Sequence, residues 1–174
     1  MRIPFLLPLA ALVLSGCAGY HLGPVKPKRM ADIQSIAVPS FRNETLQTRV
    51  EVPLANALIK QFQQDGTYKI ARENDADAVL HGTLDQIVRS PARSVTGNVL
   101  LTREYNLTLR CTYKVVKRST GAILDQRTAF GQTSFFVSGS DAIAADVTQD
   151  ERQALPLAAE DLAVRIVSQL SEGW

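Results

Sequence analysis

Cys17 carries the plainest chemistry in this sequence. It closes Leu14-Ser15-Gly16-Cys17, small residues ahead of a cysteine, and it follows Arg2 and the apolar run from Phe5 to Val13. A cation, a short apolar stretch and a small-residue cleavage site make a secretory signal, and the cysteine at its end adds the lipobox of a bacterial lipoprotein. The run is shorter than the roughly 20 apolar residues that a spanning helix needs. Residues 1–16 are therefore expected to be a cleaved signal peptide, leaving Cys17 with diacylglycerol on its thiol and an acyl chain on its new amine. At about 0.8 kcal/mol per buried methylene, three chains anchor firmly where one holds only marginally.

Other reactive side chains are scattered. His21 and His81 have no second ligand at metal spacing, and Cys111 has no sequence partner placed to activate it. Asp75 and Asp77 read as a turn at the start of a strand. No catalytic residue, metal site or cofactor beyond the acyl chains is expected, and a hydrolase would need a convergent set that is not visible.

The elements that must position any site are legible from periodicity. The chain has 174 residues and a net charge of +2, half of it from Arg2, so nothing steers it toward nucleic acid. With Cys17 acylated, Cys111 is a single thiol and reads as a buried small hydrophobe. Residues 17–32 hold Gly23, Pro24 and Pro27 with little periodicity, as in an extended lipidated tether. Residues 33–174 read as one domain. Ile33 to Phe41 forms a short strand with a break at Pro39, and Arg42-Asn43-Glu44-Thr45 forms a polar turn. Leu54, Ala55, Leu58, Ile59 and Phe62 mark an amphipathic helix over 49–64, with Pro53 in its first turn and Gly66 closing it.

Strands follow at 68–71 and 76–89, where Gly82 suggests a bulge or a close neighbour. Strict alternation from Tyr105 to Val115 predicts a half-buried strand, with Lys117 to Gly121 as a hairpin tip and 123–137 as its partner. Thr148-Gln149-Asp150-Glu151 resembles a capping box opening a second helix, which Pro156 should kink or restart. The expected fold is α+β: a two-layer sandwich of a mixed, mostly antiparallel sheet with two helices packed on one face.

Gly19-Tyr20-His21-Leu22 after Cys17, Ser35 to Thr45 (SIAVPSFRNET), Asn56-Ala57-Leu58-Ile59 and Ala76 to Leu84 (ADAVLHGTL) resemble the lipopolysaccharide-assembly lipoprotein family LptE, also called RlpB. The resemblance spans essentially the whole mature chain. It implies a non-enzymatic plug inside the outer-membrane β-barrel LptD that helps assemble the barrel and deliver lipopolysaccharide to the outer leaflet. Ala18, where lipoproteins retained at the inner membrane carry Asp, points to the periplasmic face of the outer membrane.

On that implication, Asn106, Thr108, Arg110, Thr112 and Lys114 are candidates to face the barrel lumen; a solvated sheet face is the plainer alternative. Arg89, Arg93, Arg103, Lys117 and Arg118 are the candidate lipopolysaccharide contacts, because clustered phosphates call for Lys and Arg donors. Their plainer role is to keep loop tips soluble. A second class of function is an auxiliary substrate-binding lipoprotein of a periplasmic ABC-type lipid transporter.

Overall fold

The computed structural model describes residues 26–93, 104–137 and 144–172. The strands are β1 (Ser35–Ala37), β2 (Arg42–Asn43), β3 (Lys69–Ile70), β4 (Ala78–Arg93), β5 (Glu104–Lys117) and β6 (Ile123–Phe136). The helices are α1 (Glu51–Asp65) and α2 (Ala144–Ser171). The sheet runs β3-β1-β4-β5-β6, with β2 also pairing β4; β1, β2 and β3 join in parallel and β4 to β6 are antiparallel. This is the expected α+β fold, with both helices and the inner sheet face sharing one core.

Helix α1 forms where apolar residues recur at helical spacing, and its stripe buries Leu54, Ala57, Leu58 and Phe62. Ala57 thus belongs to the core, whereas Ala55 and Ile59 lie at its margin, half-buried. Gly66, at φ 73°, supplies the left-handed residue that ends the helix and donates its N–H to Phe62 O at 3.0 Å. Helix α2 begins at Ala144, so Thr148 lies inside it and does not cap it. Pro156 neither ends nor restarts α2. Its missing N–H removes the usual helical donor to the Arg152 carbonyl.

Gly131 of β6 lets α2 cross closely, since a Cβ there would collide with Leu162 and the Ala158 carbonyl. The C-terminal half of α2 is tied down by the buried Tyr68 hydroxyl, which donates to Leu170 O at 2.8 Å, and by Tyr113, which donates to Gln169 Oε1 at 2.7 Å.

The folded body reaches back into the segment expected as tether. Lys28–Met30 forms a short 3₁₀ turn, Met30 and Ile33 are fully buried, and Arg29 reaches the buried Asp125 carboxylate at 3.4 Å. Arg42 and Asn43, expected in a turn, form β2 beside Thr83 and Leu84. Two paired residues leave no period for a sequence to show.

Candidate functional site

Only one face of the long β4–β6 sheet is covered by helices. On the other face the rows run Gln86–Arg110–Phe130, Val88–Thr108–Gln132 and Ser90–Asn106–Ser134, and nearer the hairpin tip Thr83–Thr112–Thr128 and His81–Lys114–Gln126. All five residues expected on an outward face of β5 are there: Asn106, Arg110 and Lys114 exposed, Thr108 and Thr112 half-buried. Thr112 donates to Asp85 Oδ2 at 2.7 Å. Exposed apolar side chains interrupt this polar surface, among them Val88, Phe130 and Phe136, at 41%, 47% and 66% exposure. The alternation of β6 puts Ala129, Gly131 and Phe135 inward, which turns Phe130 and Phe136 out.

The five cations expected to meet lipopolysaccharide do not form one cluster. Ala78 pairs with Lys117 and Arg89 with Leu107, so Lys117 and Arg118 lie at one end of β5 and Arg89 near the other. Leu107 to Lys117 spans on the order of 30 Å at about 3.4 Å per residue. Lys117 lies 3.7 Å from Asp32, and Arg118 Nε donates to Ala76 O at 2.7 Å. Arg93 ends β4, its side chain outside the described residues, as is Arg103.

Arg89 has a structural partner that the sequence did not reveal. A β-bulge between Leu84 and Gln86 shifts the alternation of β4, so that Ile87 and Arg89 turn to the helix side. There Arg89 Nη1 bonds Glu151 Oε2 of α2 at 3.0 Å, with its guanidinium 5.7 Å from the centre of the Tyr105 ring. Glu151 is only 7% exposed, so the pair fastens α2 to the sheet.

Electrostatics elsewhere serve the fold. Asp77 Oδ2 accepts the Gln34 and Ser35 N–H groups at 3.0 and 2.9 Å and the Ser35 hydroxyl at 2.9 Å, clipping β1 to β4. These bonds, the Gln34 N–H foremost, hold its carboxyl below the usual carboxylate range. Burial, with Asp85 nearby, pushes the Cys111 thiol up to about 12, and burial with Asp65 pushes Tyr68 up to about 12. A thiol so held is not a nucleophile near neutral pH. Among the described residues no group of three His, Cys, Asp or Glu could hold a metal, and no helix is long and apolar enough to cross a membrane.

A profile described as lipopolysaccharide-assembly, LptE, matches residues 33–170, the whole α+β body. The chain belongs to the LptE family. That membership makes it a lipopolysaccharide-assembly protein at the level of the family. No curated protein matches it by sequence.

Among solved structures, similarity extends to a PelC dodecamer from Paraburkholderia phytofirmans, 19% identical, TM-score 0.52, covering 84% of this chain and 92% of the other. A minor lipoprotein from Acinetobacter baumannii is 21% identical, with TM-score 0.52 and coverages of 81% and 93%. A hypothetical protein from Chlamydia trachomatis is 8% identical, with TM-score 0.52 and coverages of 80% and 96%. These likenesses show that this LptE-family chain shares its fold with chains of very different sequence, and at such identity they show the fold alone.

Proposed function

We propose that this chain is a lipoprotein held through acylated Cys17 at the periplasmic face of the outer membrane. There it would plug and help assemble the LptD β-barrel and take part in moving lipopolysaccharide to the outer leaflet, contacting it without catalysing a reaction. One observation carries the reading: in an LptE-family chain, the face of β4 to β6 away from the helices is mostly polar and, among the described residues, is covered by no helix. The lumen of a large outer-membrane barrel is itself polar, so Asn106, Thr108, Arg110, Thr112 and Lys114 suit it, and Phe130 and Phe136 supply apolar contacts that water does not reward.

The cations divide by position. Arg93 and Arg103, flanking the β4–β5 connection, remain candidates for lipopolysaccharide phosphates, as do Lys117 and Arg118 at the opposite tip. Arg89 is already engaged by Glu151. The leash is short: Cys17 lies nine Cα steps before Lys26, and at 3.3–3.6 Å per residue the body stays within about 30 Å of its anchor.

Purification of a C-terminally tagged chromosomal copy from outer membranes in mild detergent tests the proposal. A β-barrel recovered at near one-to-one ratio is the expected result. Recovery of inner-membrane transporter subunits would instead favour an auxiliary lipoprotein of an ABC-type lipid transporter.

A further inference from the structure

Strand β4 is 16 residues long, and on the side away from β5 the short strands β1 and β2 cover it only as far as Leu84. Among the described residues nothing pairs with β4 beyond that point on that side. The chain leaves the edge after β2 because Asn43 folds it away: Asn43 Oδ1 accepts the Thr45 N–H at 3.0 Å, and Asn43 Nδ2 donates to Gln47 O at 2.7 Å. An edge from Ile87 to Pro91 is left open, on the order of 17 Å at about 3.4 Å per residue.

Its backbone groups point outward. The Glu44 N–H bonds Leu84 O at 3.1 Å, so Leu84 turns its polar groups to the β2 side and not to β5. Across the bulge, Gln86–Arg110 is then the next pair bonded between β4 and β5, and the alternation of an antiparallel ladder sends the N–H and C=O of Ile87 and Arg89 outward. Pro91 falls in the same outward phase, where its missing N–H costs the ladder nothing.

At the start of this edge lies a depression of about 370 Å³, lined by Glu44 to Gln47, by Asp85, Gln86 and Ile87, and by Glu151. The lining holds three carboxylates and no cation. Arg42 meets Glu44 and Arg89 meets Glu151, whereas Asp85 meets only the Thr112 hydroxyl among the described residues, so a negative charge is left over. Leu46, fully exposed, adds an apolar wall, and exposed Val88 lies further along the edge.

We propose that the β4 edge from Ile87 to Pro91 docks an extended segment of another polypeptide as an added strand, with a Lys or Arg side chain of that segment seated among Glu44, Asp85 and Glu151. Main-chain hydrogen bonds supply affinity in such an addition, and the pocket beside the edge supplies selectivity. The proposal rests on the edge and its depression and not on the barrel reading.

Amide hydrogen exchange of the full chain in detergent, read residue by residue by NMR, tests it with a synthetic heptapeptide that alternates valine and threonine around a central lysine. Without peptide, the Ile87 and Arg89 amides should exchange at least tenfold faster than those of Val88 and Ser90, which bond β5. Saturating peptide should slow both at least tenfold. Glutamate in place of the peptide's lysine, or Asp85→Asn in the chain, should weaken binding at least fivefold, whereas Glu73→Gln, at an exposed turn before β4, should bind as the parent does. Ile87 and Arg89 amides already protected without peptide would mean that the edge is covered, and would overturn the proposal. Protection that rises with protein concentration would assign the edge to a second copy of the chain instead. No slowing with peptide would overturn the docking, and equal binding of the lysine and glutamate peptides would overturn the cation assignment.

Discussion

Strand β5 shows two chemistries one residue apart. Leu107, Leu109, Cys111, Tyr113 and Val115 are each at most 1% exposed, under α2 and beside the inward residues of β4 and β6. Asn106, Arg110 and Lys114, interleaved with them, touch no helix and stand in the open. Burial on the first side stabilises the fold at roughly 1.5–3 kcal/mol per large side chain, while the second side contributes almost nothing to it. Stability and recognition are thus assigned to opposite faces of one ribbon, and substitutions should separate them.

The sharpest break should come from the covered side. Leu58→Asp places a charge at a position with no exposure and no partner, and circular dichroism should find the chain unfolded. Gly131→Ala drives a methyl into α2 and should cost about 1–3 kcal/mol in a denaturant melt. Arg89→Ala leaves Glu151 buried without its cation and should cost about 1–2 kcal/mol, with Arg89→Lys recovering part of the loss. If Arg89→Ala melted like the parent, its role as a fastener would be wrong.

A smaller effect is expected on the acid side. Asp77 has a lowered carboxyl pKa in the folded chain, so its contribution is present above the unfolded value near 3.9 and is lost as pH falls through the folded value. Asp77→Asn should flatten the acid limb of the stability profile below about pH 4. The thiol works at the other end of the scale: Cys111, raised from 9.0 to about 12, favours the fold below pH 9.0 and loses that contribution as pH climbs toward 12. A thiol reagent at pH 8 should label Cys111 only after unfolding. Least of all, Phe136→Ser on the open face should move stability by no more than about 0.5 kcal/mol. On the proposed reading it would lower barrel recovery.

Much of this division is written in the sequence. The two-residue period of β5, the helical stripe of α1 and the Gly66 stop each follow from local spacing, and the structure has all three. What was hidden depends on events without a local sign. The β4 bulge puts Arg89, read from the sequence as a loop-tip cation, on the helix side of a strand, and nothing in Leu84-Asp85-Gln86 announces it; Gly82, the visible irregularity, proves to be the close neighbour of Phe41 and not the bulge. Thr148 looked like a cap because the apolar period becomes clear only after it, although the helical backbone starts at Ala144. A depression lined by His81 and Lys114 is built across four strands, β2, β4, β5 and β6, one of them only two residues long, so its members lie far apart in the chain.

The β6 edge has a consequence of its own. As the last strand of the sheet it would offer unpaired N–H and C=O groups to any extended chain, the usual route to β-addition and fibril growth. Midway along it, the Gln132 N–H already donates to Asp161 Oδ2 of α2 at 2.8 Å, and Arg165 holds the same oxygen at 2.9 Å. An approaching strand finds that donor occupied and an ion pair in its path. Molecules crowded side by side can therefore stay separate, because the sheet carries its own stop against templated growth.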